Sequence, residues 1–110
     1  MLVTRTLAPR KYRSRLQIIA DILGVVRYGS KKTHIMFRVN LSHNILSRYL
    51  YEMLKSDLAC VNDSSEYVIT DKGRIFLEKF TEYSEMRKQF KERFDHVLNE
   101  VLILESMCAY

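Results

Sequence analysis

Proline and glycine are scarce in this sequence, one Pro and three Gly in 110 residues, and that scarcity excludes long linkers and low-complexity tracts. Cysteine is almost as rare. Cys60 and Cys108 stand far apart with no CxxC or Cys–His spacing, so two free thiols are expected rather than a disulfide framework or a zinc site. No apolar run approaches the roughly 18 residues needed to span a bilayer, and Met1-Leu2-Val3-Thr4-Arg5 lacks the apolar stretch of a signal peptide. A cytoplasmic protein without membrane contact is the expectation. Chemistry-bearing motifs are also missing: there is no glycine-rich phosphate loop, no GxSxG elbow and no paired-acid motif, and His34, His43 and His96 fall on three different predicted helices. No enzyme activity, metal, cofactor or small-molecule ligand is expected.

Acids are lacking in one half of the chain. Residues 1–56 hold 11 Lys or Arg against only Asp21 and Glu52, a balance of +9, whereas residues 57–110 hold 7 against 11, a balance of −4. Positive charge gathered in one half suits a polyanion, because each cation placed on a phosphate releases condensed counterions. A solvated basic surface with no partner is the plainer alternative.

What is present reads as helices first. Residues 1–13, with Arg5, Arg10, Lys11 and Arg13 around Pro9, show no periodicity and are expected to form a flexible basic arm. Ser14 can cap a helix in which Leu16, Ile18, Ile19, Ile22, Leu23 and Val26 share a face, ending near Tyr28 with Gly29 as stop. Lys31 to Val39 is a second, short helix that breaks at Asn40. Ser42 can then cap a third, about 42–56, whose Ile45, Leu46, Tyr49, Leu50, Met53 and Leu54 form an apolar stripe. The tight Asn40-Leu41-Ser42 connection makes these two a helix-turn-helix. Leu58-Ala59-Cys60-Val61 and Glu66-Tyr67-Val68-Ile69-Thr70, separated by turn residues, predict a β-hairpin.

Thr70 and Asp71 open a last helix with no break after Gly73. It spans about 38 residues, roughly 57 Å. Phe80, Tyr83, Met86, Phe90, Phe94, Val97, Val101, Leu104 and Cys108 recur along it at three- and four-residue steps, an imperfect heptad seam. Its distal apolar half has no core within reach, so it is expected to pair with a second copy through Phe90, Phe94, Val97, Val101 and Leu104. The fold class is therefore mainly α with a small β-hairpin: a flexible arm (1–13), a winged helix-turn-helix (14–80) and a C-terminal dimerisation helix (81–110).

The expected partner is double-stranded DNA. With the apolar stripe of the third helix turned inward, Ser42, His43, Asn44, Ser47, Arg48 and Tyr51 remain outward, and these types read base edges or touch the backbone. Lys31, Lys32, Thr33 and Arg38 surround the second helix, whose amino terminus favours phosphate. The wing tip at Ser64 and Ser65 is a weaker candidate, because Asp63 and Glu66 flank it. A homodimeric transcription regulator or nucleoid protein follows from these assignments. The alternative is a protein-interaction module that docks on transcription machinery without reading DNA.

Three stretches carry a family resemblance: Arg15-Leu16-Gln17-Ile18-Ile19-Ala20-Asp21-Ile22-Leu23, Lys32-Thr33-His34-Ile35-Met36-Phe37-Arg38-Val39-Asn40-Leu41-Ser42, and Tyr67-Val68-Ile69-Thr70-Asp71-Lys72-Gly73. Over about residues 14–80 the chain resembles archaeal winged-helix proteins of the ArnR-like type, which include small chromatin proteins with a C-terminal coiled coil. The resemblance implies duplex binding through the third helix and the wing, and a dimer formed by antiparallel pairing of the last helices.

Overall fold

The computed structural model describes residues 13–108 and divides the chain into two units, Met1–Glu78 and Lys79–Tyr110. In the first, α1 (Arg15–Val25) runs into a 3-10 turn (Val26–Tyr28), followed by α2 (Lys32–Val39), α3 (His43–Lys55), β1 (Ala59–Val61) and β2 (Tyr67–Ile69). The last helix, α4 (Asp71–Met107), begins in the first unit and makes up nearly all of the second. The predicted order of helix, helix-turn-helix, hairpin and long helix is the observed one.

Each boundary has a chemical cause. Ser14 caps α1 by accepting the Gln17 N–H at 3.1 Å. α1 stops earlier than the spacing predicts and tightens into the 3-10 turn, where the Ser30 hydroxyl donates to the Val25 carbonyl. Gly29 follows at φ 98°, a left-handed value only glycine adopts without strain. Asn40 ends α2 in the left-handed region at φ 56°, and Ser42 caps α3 through the Ile45 N–H.

The core of this unit joins all of its elements. Ile19, Ile22, Leu23 and Val26 meet Ile35 and Val39 of α2, Leu46, Leu50 and Met53 of α3, and Leu58, Ala59 and Ile69 of the hairpin. Fully burying a side chain of this size contributes about 1.5–3 kcal/mol. The sequence reading also turns Ile45 and Tyr49 inward. Tyr49 is half-buried, but Ile45 is exposed, since the buried stripe of α3 is narrow and Ile45 lies about 100° around the helix from Leu46.

The hairpin pairs antiparallel, Ala59 with Ile69, Cys60 with Val68 and Val61 with Tyr67. Ser30 adds a one-residue third strand by exchanging both backbone hydrogen bonds with Tyr67. α4 then starts against the hairpin's base. Thr70 accepts the Gly73 N–H and donates to the Asp57 carbonyl, and Gly73 is buried so tightly that a Cβ there would stand 2.2 Å from the Leu58 carbonyl oxygen. The Thr-Asp-Lys-Gly segment is thus a docking device for the first turn of α4.

Among the described residues the second unit is the rest of α4 followed by Cys108. Tyr83, Met86, Phe90, Phe94, Val97, Val101 and Leu104 are all exposed, Phe90 at 70% and Leu104 at 61%. Phe90 and Phe94 stack with ring centroids 6.3 Å apart. No helix among the described residues is long and apolar enough to cross a membrane.

Candidate nucleic-acid interface

The outward side of α3 presents one stripe along its length. Burial of Leu46, Leu50 and Met53 leaves His43, Asn44, Arg48, Tyr51 and Lys55 exposed, with Ser47 partly covered among them. Asn44, Arg48, Tyr51 and Lys55 follow steps of four, three and four, so they lie on the same helical face. Lys55 is absent from the sequence-based set. Its ammonium sits 5.5 Å from the Tyr51 ring centroid, a cation–π distance, and continuing the stripe by one more step would have identified it. Ser42 has its hydroxyl oxygen committed to capping α3.

The electrostatics of this side follow from how the two acids of the basic half are used. Asp21 accepts from Arg13 at 2.9 Å and Glu52 pairs with Arg15. Arg27, Lys31, Lys32, Arg38, Arg48 and Lys55 therefore have no acid partner among the described residues. Arg13 also donates to the Val39 carbonyl at 2.8 Å, tying α1 to the carboxyl end of α2. This side chain, which the sequence reading puts in a flexible arm, belongs with the helices. Arg5, Arg10 and Lys11 of that arm lie outside the described residues.

The two adjacent lysines at the start of α2 diverge. Lys31 reaches the hairpin turn and donates to the Ser64 carbonyl at 3.3 Å, whereas Lys32 is half-buried and donates to the Ser47 hydroxyl on α3. Thr33 and Arg38 are exposed on α2. The turn itself is built by Asn62, whose side-chain oxygen accepts the Ser64 and Glu66 N–H groups, with Ser65 left-handed at φ 61°. Ser64, Ser65 and Asp63 are exposed at its tip, and Lys31 brings it the positive charge its own sequence lacks.

A shallow cleft of about 430 Å³ adjoins this surface, lined by Arg13, Ile18, Asn40, Leu41, Ile45, Arg48 and Tyr49. Of these, Arg48 alone belongs to the outward stripe of α3. Among the described residues no group of three or more His, Cys, Asp or Glu side chains gathers to hold a metal.

Comparison with known proteins agrees with this architecture. The family described as winged helix-turn-helix matches residues 12–88. Among solved structures the chain is similar to Sso10a-2, a DNA-binding protein from Sulfolobus solfataricus, with a TM-score of 0.69 at 19% identity, covering 77% of this chain and 93% of that one. At that identity the likeness is one of fold. No curated protein matches the chain.

Proposed function

The chain belongs to the winged helix-turn-helix family, and we propose on that footing that it binds double-stranded DNA as a homodimeric transcription regulator or nucleoid protein. α3 enters the major groove. The observation that carries this is the set of six basic side chains freed of acid partners, four of which, Lys32, Arg38, Arg48 and Lys55, belong to the helix-turn-helix beside Asn44 and Ser47. Asn44 and Arg48 suit adenine and guanine edges, while Lys31, Thr33 and Arg38 suit phosphates at the amino end and outer side of α2. The structural neighbour's description as a DNA-binding protein supports the same reading.

Charge reversal tests it. Arg38→Glu with Arg48→Glu is expected to abolish duplex binding at physiological salt and to flatten the salt dependence by about 0.9 for each phosphate left without its cation. Unchanged affinity and slope would remove the DNA reading. A genomic footprint then divides the two roles, since discrete sites mean a regulator and uniform coverage a nucleoid protein.

The exposed apolar seam of the second unit supports pairing with another copy. Its composition favours the antiparallel arrangement. Residues 86–96 hold Arg87, Lys88, Lys91 and Arg93 against Glu92 and Asp95, whereas residues 98–108 hold Glu100 and Glu105 with no Lys or Arg. Antiparallel helices centred on Asn99 set these opposite charges against each other, with Glu105 facing Arg93, each six residues from the centre. They also match Phe90 with Cys108, each nine residues from Asn99, Phe94 with Leu104, each five away, and Val97 with Val101, each two away. Both phenylalanines then meet smaller side chains, where a parallel pair would stack Phe on Phe. In a Cys60→Ser chain, Phe90→Cys is expected to give, on mild oxidation, a cross-link between the introduced thiol and the partner's Cys108. Cross-links joining Cys108 to Cys108 instead would establish the parallel arrangement.

A further inference from the structure

The contact between Lys32 and Ser47 has a chemical consequence for what α3 can recognise. A serine hydroxyl has one hydrogen to donate and two lone pairs with which to accept. Ser47 stands on the groove-facing stripe of α3, midway between Asn44 and Tyr51, and its oxygen already accepts from the Lys32 ammonium. Lys32 is half-buried, and no acid pairs with it among the described residues, so its full charge is held against that oxygen. A second N–H donor approaching the remaining lone pair would meet a cation at hydrogen-bond distance.

We propose that Lys32 makes Ser47 a donor-only position, so that this point of α3 takes a hydrogen-bond acceptor and rejects the exocyclic amino groups of adenine and cytosine. In the major groove the acceptors are guanine O6 and N7, adenine N7 and thymine O4, and the amino groups are adenine N6 and cytosine N4. A serine free of Lys32 would tolerate both kinds. The assignment also changes the role of Lys32 from a phosphate contact to a positioning residue, acting on DNA through the hydroxyl it polarises. This rests on the DNA-binding reading above and specifies one position of it.

Selection from a randomised duplex library by the full chain tests the proposal. The wild type is expected to enrich guanine or thymine over cytosine at one position, by about three- to tenfold, the worth of one hydrogen bond. Lys32→Met keeps the side chain's length without its ammonium and is expected to erase that preference while leaving preferences at other positions intact. Ser47→Ala is expected to erase it at the same position, and Lys32→Arg to preserve it. A preference that survives Lys32→Met, a wild type that enriches cytosine there, or a wild type that binds with no preference at any position would each overturn the inference. Failure of the wild type to bind duplex at all would instead overturn the DNA-binding reading beneath it.

Discussion

Residues 13–78 and residues 79–108 solve the problem of apolar surface in opposite ways. The first set closes a core from three helices, a hairpin and the first turn of α4, leaving its charge outside and unbalanced. The second is one helix with a row of large apolar side chains in solvent and nearly balanced charge, five cations against six acids. Helices shorter than about 15 residues are marginal alone in water, and longer ones gain most of their stability by burying an apolar face. The first unit supplies such burial internally. The second has none among its described residues, and its exposed apolar row is the surface that the proposed pairing would cover.

The largest expected effect breaks this contrast at the second unit. Val101→Asp with Leu104→Asp places two carboxylates on each copy of the seam and is expected to give a monomer by light scattering at tens of micromolar. Duplex affinity should fall with it by about a hundredfold or more, since bivalent binding adds 10²–10⁴ without new contacts. Thermal unfolding of the head should persist. A wild-type chain that is already monomeric would end the dimer proposal.

Next in size is a change confined to the first unit. Gly73→Ala would drive a Cβ to 2.2 Å from the Leu58 carbonyl oxygen and 2.7 Å from the Ile69 side chain. Neither a hairpin backbone nor a buried core residue yields cheaply, so about 3 kcal/mol of stability should be lost. Chemical denaturation of the head measures this. A loss below about 1 kcal/mol would mean that α4 does not dock through this glycine.

Much of this was legible in the residues, and for identifiable reasons. Ser14, Asn40, Ser42 and Thr70 act locally, each satisfying helix ends within a few positions, so spacing alone reveals them. Leu46, Leu50 and Met53 betray the buried side of α3 by period. What sequence did not reveal depends on long-range geometry. Arg13 was indistinguishable from its basic neighbours until Asp21 and the Val39 carbonyl were brought to it, 8 and 26 residues away. Lys31 and Lys32 look equivalent in the chain, yet the fold sends one to Ser64 and the other to Ser47. Ile45 fits the apolar pattern but sits at the edge of a stripe too narrow to cover it.

The smallest effect concerns the hairpin turn, which packs within the first unit but carries acids of the 57–110 half, Asp63 and Glu66. Asp63 is exposed at the tip, Glu66 accepts from Asn62 near its base, and the nearest cation supplied to the turn is Lys31 on the Ser64 carbonyl. A turn so composed contributes little attraction to phosphate, and Asp63 opposes it. Asp63→Lys replaces a repulsive charge with an attractive one at a site where no described hydrogen bond uses the side chain, so the fold should be untouched. If the turn lies along DNA when α3 is in the groove, affinity should rise several-fold at low salt and the salt slope should steepen by about 0.9, the value for one more neutralised phosphate. The gain should shrink as salt rises through about 0.2 M, as a screened surface interaction does. Affinity that stays flat across that range would place the turn off the duplex, and recognition would then rest on the helix-turn-helix alone.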